Sequence, residues 1–341
     1  MIIAVGCGAL NLDIIYEIDD LKSIQEAGFP LLPGRECVLQ HEMAEELLKV
    51  LEKSASLLAK SGGGSAANTL CALAKMNHRC YFIGSVGDDS EGDFLLESMA
   101  GVDCSLVNRS GRSSMCIIVI DRIKNDRALA VVPGTLEINL ENPKLETVLK
   151  NSHVLHMSSL VQDKGPALQA QLAALCSQEC MISFDPGEVY ASKGFKAINE
   201  ILERTSLLFA SDLEFKTMFG NRSVMEVITK RLFGSKAWNG QVKPHPFFQE
   251  MIPPVLALKS GSKGALLASK TTVIKCPARS VDNIVDNTGA GDAFNAGLID
   301  AIFKGKMPKD ALEYSVSIAA FSLMFPGRKW IDNLDNFTFT P

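Results

Sequence analysis

Apolar residues fall along this chain in two alternating patterns. Short, nearly continuous runs occur at Ile2–Val5, Cys80–Ile83, Met115–Ile120, Val154–Met157, Met181–Phe184, Leu207–Phe209 and Val255–Leu258. Several lack polar alternation, which predicts strands buried on both faces, as in a parallel sheet. Between them helical patterns run over Ala66–Met76, Gly92–Met99, Lys164–Ser177, Ala191–Glu203, Leu213–Met218 and Asp292–Phe303. Strand and helix alternating over most of the chain predict an α/β fold, a sheet with helices on both faces.

Two stretches break the alternation. In residues 14–60, turns at Gly28-Phe29-Pro30 and Pro33-Gly34 precede a charged helical pattern near 41–60. Residues 103–135 read as a run of short strand-like pieces. Together they predict a small β subdomain, a lid over the sheet's carboxyl edge that would exclude water from a reaction there. No internal repeat or low-complexity linker divides the chain, so 1–341 reads as one domain carrying that lid. Lys236–Phe248, with Trp238, Pro244 and Pro246, reads as a loop insertion that packs on the body.

Composition narrows the function classes. With 47% hydrophobic and 21% charged residues, wholesale disorder is excluded. The net charge is -5, and Lys and Arg are scattered with no basic tract, so no nucleic-acid partner is expected. The N-terminal Met1-Ile2-Ile3-Ala4-Val5 lacks a basic lead-in and gives way to Asn11 and Asp13. It reads as a first strand, not a signal peptide. No apolar stretch approaches the ~18 residues of a membrane span, so a cytoplasmic protein with no membrane partner is expected. The nine cysteines are irregularly spaced and read as small buried hydrophobes. Cys176 and Cys180 alone do not make a zinc site. His153 and His156, three apart in a strand, point to opposite faces and share no metal.

The chemistry concentrates in Asp286-Asn287-Thr288-Gly289-Ala290-Gly291-Asp292-Ala293-Phe294-Asn295-Ala296-Gly297. Small residues before an apolar helix let backbone N–H groups turn toward a ligand, and a helix N-terminus carries partial positive charge. Gly289, Ala290 and Gly291 would thus form an anion hole, with Asp292 beside it as the base for an attacking hydroxyl. The bland alternative is a glycine turn with Asp292 as helix cap. A second element is Ser61-Gly62-Gly63-Gly64-Ser65-Ala66-Ala67-Asn68. Here Gly63 and Gly64 would let a ligand approach the backbone, and Asn68 would bond hydroxyls; a linker or tight helix packing is the alternative. The third is Asn11-Leu12-Asp13 after the first strand, where Asp13 could accept bonds from vicinal hydroxyls.

Taken together, these pieces resemble the ribokinase-like, or PfkB, family of carbohydrate and nucleoside kinases. The resemblance covers essentially the whole chain and includes Val86-Gly87-Asp88-Asp89-x-x-Gly92. It implies a ribokinase-like, mainly parallel central sheet flanked by helices, with a small β lid. It also implies ATP-dependent transfer to an alcohol hydroxyl with Mg²⁺. Asp292 would be the base, Gly289 to Gly291 the anion hole, and Asp13, Gly63, Gly64 and Asn68 the acceptor site. In Leu258-Lys259-Ser260-Gly261-Ser262-Lys263-Gly264, the resemblance puts Lys259, Ser260, Gly261 and Gly264 against ATP. It makes Asp286 a candidate for a monovalent-cation site, hence K⁺, and Glu214 a ligand of Mg²⁺ through water. One departure stands out: Ser211 occupies the place of the family's Asn in Asn-x-x-Glu, with Asp212 as a nearby carboxylate.

The 51 positions from Asp13 to Gly64, with Gly34-Arg35-Glu36 among them, are closer to adenosine-kinase-like and related sugar-kinase branches. Ser65 follows the glycines where a Lys would favour a phosphorylated acceptor. Phe184-Asp185-Pro186-Gly187-Glu188 resembles archaeal-type sugar kinases of the family. The expected acceptor is thus a neutral sugar or polyol, with a nucleoside second. A non-catalytic binder of the same fold is the third reading, and a homodimer through the lid edge is expected. Gly6-Cys7-Gly8 raises a dinucleotide-binding oxidoreductase, but Asn11 stands at the third glycine position. At a helix N-terminus, Asp292 is expected to be ionised, with a lowered pKa and weak basicity.

Overall fold

The computed structural model describes residues 1–124, 126–230, 232–236 and 246–339. Chain order gives β1 (Ile3–Cys7), β2 (Asn11–Ile18), β3 (Glu36–Val38), β4 (Ser56–Gly63), β5 (Arg79–Val86), β6 (Val102–Arg109) and β7 (Ser114–Asp121). It continues with β8 (Asp126–Val132), β9 (Val154–Ser158), β10 (Met181–Asp185), β11 (Leu207–Ser211), β12 (Val255–Lys259), β13 (Ala265–Ala268) and β14 (Val273–Cys276). Nine strands form one sheet in the order β14-β13-β12-β11-β10-β9-β1-β5-β6; β3-β8-β7-β2-β4 form a second.

From β12 to β6 the large sheet is parallel, and its central strands are buried along nearly their whole length. That is what their unbroken apolar runs require of strands covered on both faces. Only β12-β13-β14 turn antiparallel. The Ser65–Lys75 and Ala290–Phe303 helices pack against each other and into one core with Ala4 and Phe82. A methyl on Gly6 would meet the Leu70 side chain at 2.6 Å, and one on Gly8 would meet the Ser158 hydroxyl at 2.3 Å. These glycines serve close helix-on-strand packing, which explains the Gly6-Cys7-Gly8 spacing without a dinucleotide.

Several sequence boundaries shift. β6 pairs parallel with β5, from Cys80↔Val102 to Val86↔Arg109, so it belongs to the large sheet and not to the 103–135 lid stretch. The helix expected near 41–60 ends at Ser54, and residues 56–63 are β4. The helix expected over 191–203 is broken at Gly194 (φ 81°), between a Gly187–Lys193 helix and an Asn199–Arg204 helix. Left-handed backbone there ends the first helix at no steric cost to glycine. Of the 236–248 insertion, Trp238 and Pro244 lie outside the described residues, while Pro246–Glu250 is helical with Phe247 buried. No helix among the described residues is long and apolar enough to cross a membrane.

The small sheet has two faces. Leu12, Ile14, Ile117, Val119 and Ala130 share the larger core with Ala44, Leu47 and Leu51 of the His41–Ser54 helix. On the other face Ile15, Cys116, Ile118 and Val131 cluster with Leu129 and with Val161 from the loop after β9. That second face therefore looks toward the carboxyl edge of the large sheet. Contact across the gap comes from Glu188, in the first turn of the Gly187–Lys193 helix. It accepts from Arg35 Nε and, at 3.0 Å, from the backbone N–H of Glu36. Arg35 is nearly half exposed, so the part-buried backbone bond carries most of the contact. Replacing Glu188 by Ala is expected to speed amide hydrogen exchange over 34–38 about tenfold, the equivalent of one lost charge-assisted bond of ~1.4 kcal/mol. Unchanged exchange would show that this contact does not hold the two sheets together.

Candidate active site

β10, β11 and β12 run side by side and end on Asp185, Ser211 and Lys259. Polar residues at the carboxyl ends of parallel strands lie where such sheets bind ligands. Lys259 Nζ sits 2.6 Å from Asp185 Oδ2, and Asn295 Nδ2 donates to the same oxygen at 2.6 Å. Burial works against the Asp185 charge, but Lys259 and Asn295 outweigh it and hold the carboxyl below its ordinary value. Burial likewise opposes the Lys259 charge, and Asp185 with Glu214 more than compensates, raising its pKa.

Asn295 belongs to the Ala290–Phe303 helix, whose N-cap is Gly289 at φ 79°. That left-handed conformation is available to glycine without Cβ strain. A methyl on Gly291 would stand 3.3 Å from Lys259 Nζ, so the ammonium lies against the helix's first turn. The first backbone N–H groups there lack intrahelical acceptors. The expected anion hole thus has a part-buried cation beside it. Lys259, expected at the nucleotide turn, belongs to this cluster. Ser260 Oγ donates to Asp212 Oδ1 at 2.9 Å, and Gly261–Lys263 forms a short 3-10 turn ahead of β13. Gly264, at φ 95°, lies so close to Cys276 that a Cβ would come within 2.1 Å of its carbonyl oxygen. Its glycine has a packing reason of its own.

Asp292 projects from the same first turn. Its Oδ2 accepts from Asn68 Nδ2 at 2.7 Å, which joins the two glycine-led helices. The helix-terminus argument predicted a lowered pKa, and the structure reverses it. Burial pushes the Asp292 carboxyl up to about 6, against the lowering pull of Asn68 and Lys259 and with Asp185 adding to the rise. Desolvation is the largest influence on this carboxyl. Asp13, in the middle of β2, is pushed to about 7 by burial, with Arg328 lowering it and Asp292 and Asp286 raising it. Asp286 and Asp292 therefore lie close enough to Asp13 to bear on its charge.

The glycines of the second element make room for Asp13. A Cβ on Gly63 would fall 2.0 Å from Asp13 Oδ2, and one on Gly64 (φ 109°) would fall 2.1 Å from the Ala9 carbonyl. Asp286 accepts from the backbone N–H of Thr288 at 2.7 Å and of Gly327 at 2.8 Å. Both carboxylate oxygens therefore clamp the loop leading into the helix to the loop after 326. Glu214 and Ser211 form a capping box: Ser211 N donates to Glu214 Oε2 at 2.7 Å, and Glu214 N donates to Ser211 Oγ at 3.2 Å. Burial and the nearby Asp185 raise the Glu214 pKa. Ser211 works here as a helix cap, which serine does as well as asparagine.

Among the described residues no three His, Cys, Asp or Glu side chains are close enough to hold a metal directly. Glu214, near both Asp185 and Lys259, suits contact with a metal-bound water instead. The Asp89 element is a structural joint: Asp89 caps the Ser90–Glu97 helix through Gly92 N and accepts from Ser113 N and Oγ at the start of β7. Sequence reasoning missed Asp185 and Asn295 as site residues. Asn295 lies one turn beyond Asp292 on the signature helix, and that spacing was the available signal.

Because Asp13 and Asp292 titrate higher in the folded chain than unfolded, near 3.9, the fold binds extra protons between about pH 4 and 7. Their stabilising contribution is full below pH 4 and lost as pH rises through 6 to 7. Asp13→Asn is thus expected to raise Tm at pH 8 by a few degrees, on the order of 1–3 kcal/mol, and to leave it unchanged near pH 4. A variant less stable at pH 8 would contradict the buried-charge reading.

Residues 37–327 match the family model described as pfkB family carbohydrate kinase. An ATP-dependent ribose-1-phosphate kinase of Halopiger xanaduensis is 30% identical over 271 residues, covering 77% of this chain and 80% of the relative. Among solved structures, adenosine kinase from Sinorhizobium meliloti superposes with a TM-score of 0.76 at 16% identity, covering 98% of this chain and 99% of that one. Arabidopsis thaliana ribokinase complexed with ribose and ATP does so with a TM-score of 0.70 at 18% identity, over 99% of both chains. At these identities the structures show the ribokinase-like fold alone. The family match spans well over half of the chain, and on it the protein is a phosphotransferase that belongs to the pfkB family of carbohydrate kinases.

Proposed function

We propose that the protein transfers a phosphoryl group from ATP to a hydroxyl of a small sugar, with Asp292 as catalytic base. The observation that carries this reading is the placement of Asp292. It is a part-buried carboxylate in the first turn of a helix, beside that turn's N–H groups and the Lys259 ammonium, and close enough to Asp13 to bear on its charge. A pKa raised to about 6 makes it a better proton acceptor than a surface aspartate while leaving it mostly ionised at neutral pH.

Each residue then has a task. Asp13 accepts hydrogen bonds from two acceptor hydroxyls and orients the third toward Asp292. Asn68 holds the Asp292 carboxylate in the orientation that receives the proton. The N–H groups of Ala290 and Gly291, with Lys259 next to them, face the negative charge of the transferring group. When bound, Mg²⁺ neutralises charge on the nucleotide phosphates, and Glu214 is the carboxylate fitted to orient its water. Asp286 sets the anion-hole backbone through its two N–H bonds, so any effect of K⁺ would act through that loop. The small sheet closes over the reacting groups and keeps water out. Kinase activity follows from the family; ATP as donor, Mg²⁺ and K⁺ use, the acceptor, and dimerisation through the lid edge are parts of this proposal, as is a cytoplasmic location.

ADP release from MgATP, with and without K⁺, over a panel of sugars, sugar phosphates, polyols and nucleosides tests it. One acceptor should stimulate release strongly, and a nucleoside presents the same vicinal hydroxyls, so the panel decides between the branches. Asp292→Asn should lower turnover by ~10²-fold or more with ATP affinity nearly unchanged. Wild-type turnover in that variant would remove Asp292 from the role. For the free enzyme, kcat/KM should fall as pH drops through about 7 and more steeply below about 6, as the Asp13 and then the Asp292 carboxylate take up protons. A flat profile from pH 5 to 8 would argue against a titrating base.

A further inference from the structure

The face of the small sheet that looks onto the acceptor carries a cation whose role is otherwise unassigned. Residues paired directly across a ladder share a face. Asp13 pairs with Cys116 and Cys116 with Val131; Ile15 pairs with Ile118, Ile118 with Leu129 and Leu129 with Glu36; Glu17 pairs with Ile120 and Ile120 with Arg127. Arg127 therefore belongs to the same face as Asp13, two rows along and beyond an apolar patch of Ile15, Ile118, Leu129 and Val131. Two rows are four residues, about 13 Å of strand, and the long Arg side chain can close much of that gap.

The guanidinium is charged at any physiological pH. Its Nε and Nη1 atoms are buried and hydrogen-bond nothing. Glu36, diagonal to it on β3, bears on it electrostatically but makes no hydrogen bond to it. Burial, with Glu188 and Glu214 adding to it, pushes Glu36 to about 7, so this neighbour is a poor counter-ion near neutral pH. The Cys116 thiol, raised first by burial, is raised further by Asp13 and Glu36 and lowered by Arg127, so it feels all three charges. A part-buried guanidinium with two idle buried nitrogens is costly unless an anion joins it. Planar, paired donors suit an oxyanion of phosphate or carboxylate type.

We propose that Arg127 is a specificity-determining residue that binds an oxyanion on the acceptor, so that the substrate is an anionic sugar, a sugar phosphate or a sugar acid, held at its hydroxyl end by Asp13 and at its charged end by Arg127. This rests on the kinase reading above and replaces the neutral acceptor expected from Ser65. The cation that Ser65 does not supply comes from the opposite wall, on β8. The ring lies between the two ends over the apolar patch, with its reacting hydroxyl toward Asp292.

Matched acceptors test it: ribose 1-phosphate and ribose 5-phosphate against ribose, fructose 6-phosphate against fructose, and gluconate against glucose. Wild-type kcat/KM should favour one anionic member over its neutral partner by 10²-fold or more. Arg127→Gln should cut that ratio at least ~30-fold, and Arg127→Lys should restore part of it, since a point charge replaces a planar fork. The phosphate and carboxylate arms identify which oxyanion is read. Calorimetry with the Asp292→Asn variant measures binding of the same compounds without turnover. Anionic sugars that bind there and are lost in the Arg127→Gln double variant uphold the inference even if no acceptor is phosphorylated, an outcome that would sink the kinase reading alone. Neutral and anionic partners used equally well by the wild type would overturn it with the kinase reading intact. So would an Arg127→Gln ratio equal to wild type, the result expected if water alone solvates the guanidinium. Tm of unliganded Arg127→Gln separates this from a scaffold role: it should hold or rise when an unpaired buried charge is removed, and a fall beyond ~5 °C with both members of a pair impaired alike would mean that Arg127 only supports the sheet.

Discussion

The site is organised around the buried ion pair between Asp185 and Lys259. Two parallel strands end on the two partners, and Asn295 ties the signature helix to the same carboxylate oxygen. Burying two charges is expensive, and such pairs contribute little net stability compared with apolar packing. What this pair supplies is position. It fixes β10, β12 and the Ala290–Phe303 helix relative to one another and sets a cation against Gly291. Loss of either partner would leave the other charged and largely buried, so the start of the Ala290–Phe303 helix and the strand ends that support it stand or fall together.

Around that point, absent side chains matter as much as present ones. Gly63 leaves the space that the Asp13 carboxylate fills, and Gly64 allows the chain to pass over the Ala9 carbonyl. The same element then starts a helix that delivers Asn68 to Asp292. Gly289 gives the signature helix its left-handed cap. Gly63 and Gly64 are needed because a carboxylate and a backbone carbonyl occupy the space of the missing Cβ, and Gly289 because its backbone is left-handed.

Burial accounts for the unusual electrostatics. Asp13, Glu36 and Asp292 are all raised, and burial is the leading cause in each. The Glu188 contact to β3 helps to hold the two sheets together around these carboxylates.

Much of the fold was legible along the chain. Unbroken apolar runs marked seven strands within a residue or three of their observed ends, because a strand buried on both faces can carry almost nothing else. The run from Asp286 to Gly297 marked a helix start and its carboxylate, since local backbone chemistry requires small residues there. Other features depended on pairing between distant segments. β6 went to the large sheet because β5 offered it an edge, and residues 56–63 became a strand because β2 did. Asp185, Lys259 and Asn295 meet across 110 positions of sequence, and no local pattern encodes that meeting. The sign of the Asp292 shift turned on burial, which a helix terminus read in isolation does not report. The place of Arg127 beside Glu36 and on the face of Asp13 was decided by ladder register alone. A strand's side chains alternate between faces, and only the partner strand determines which charge each one meets.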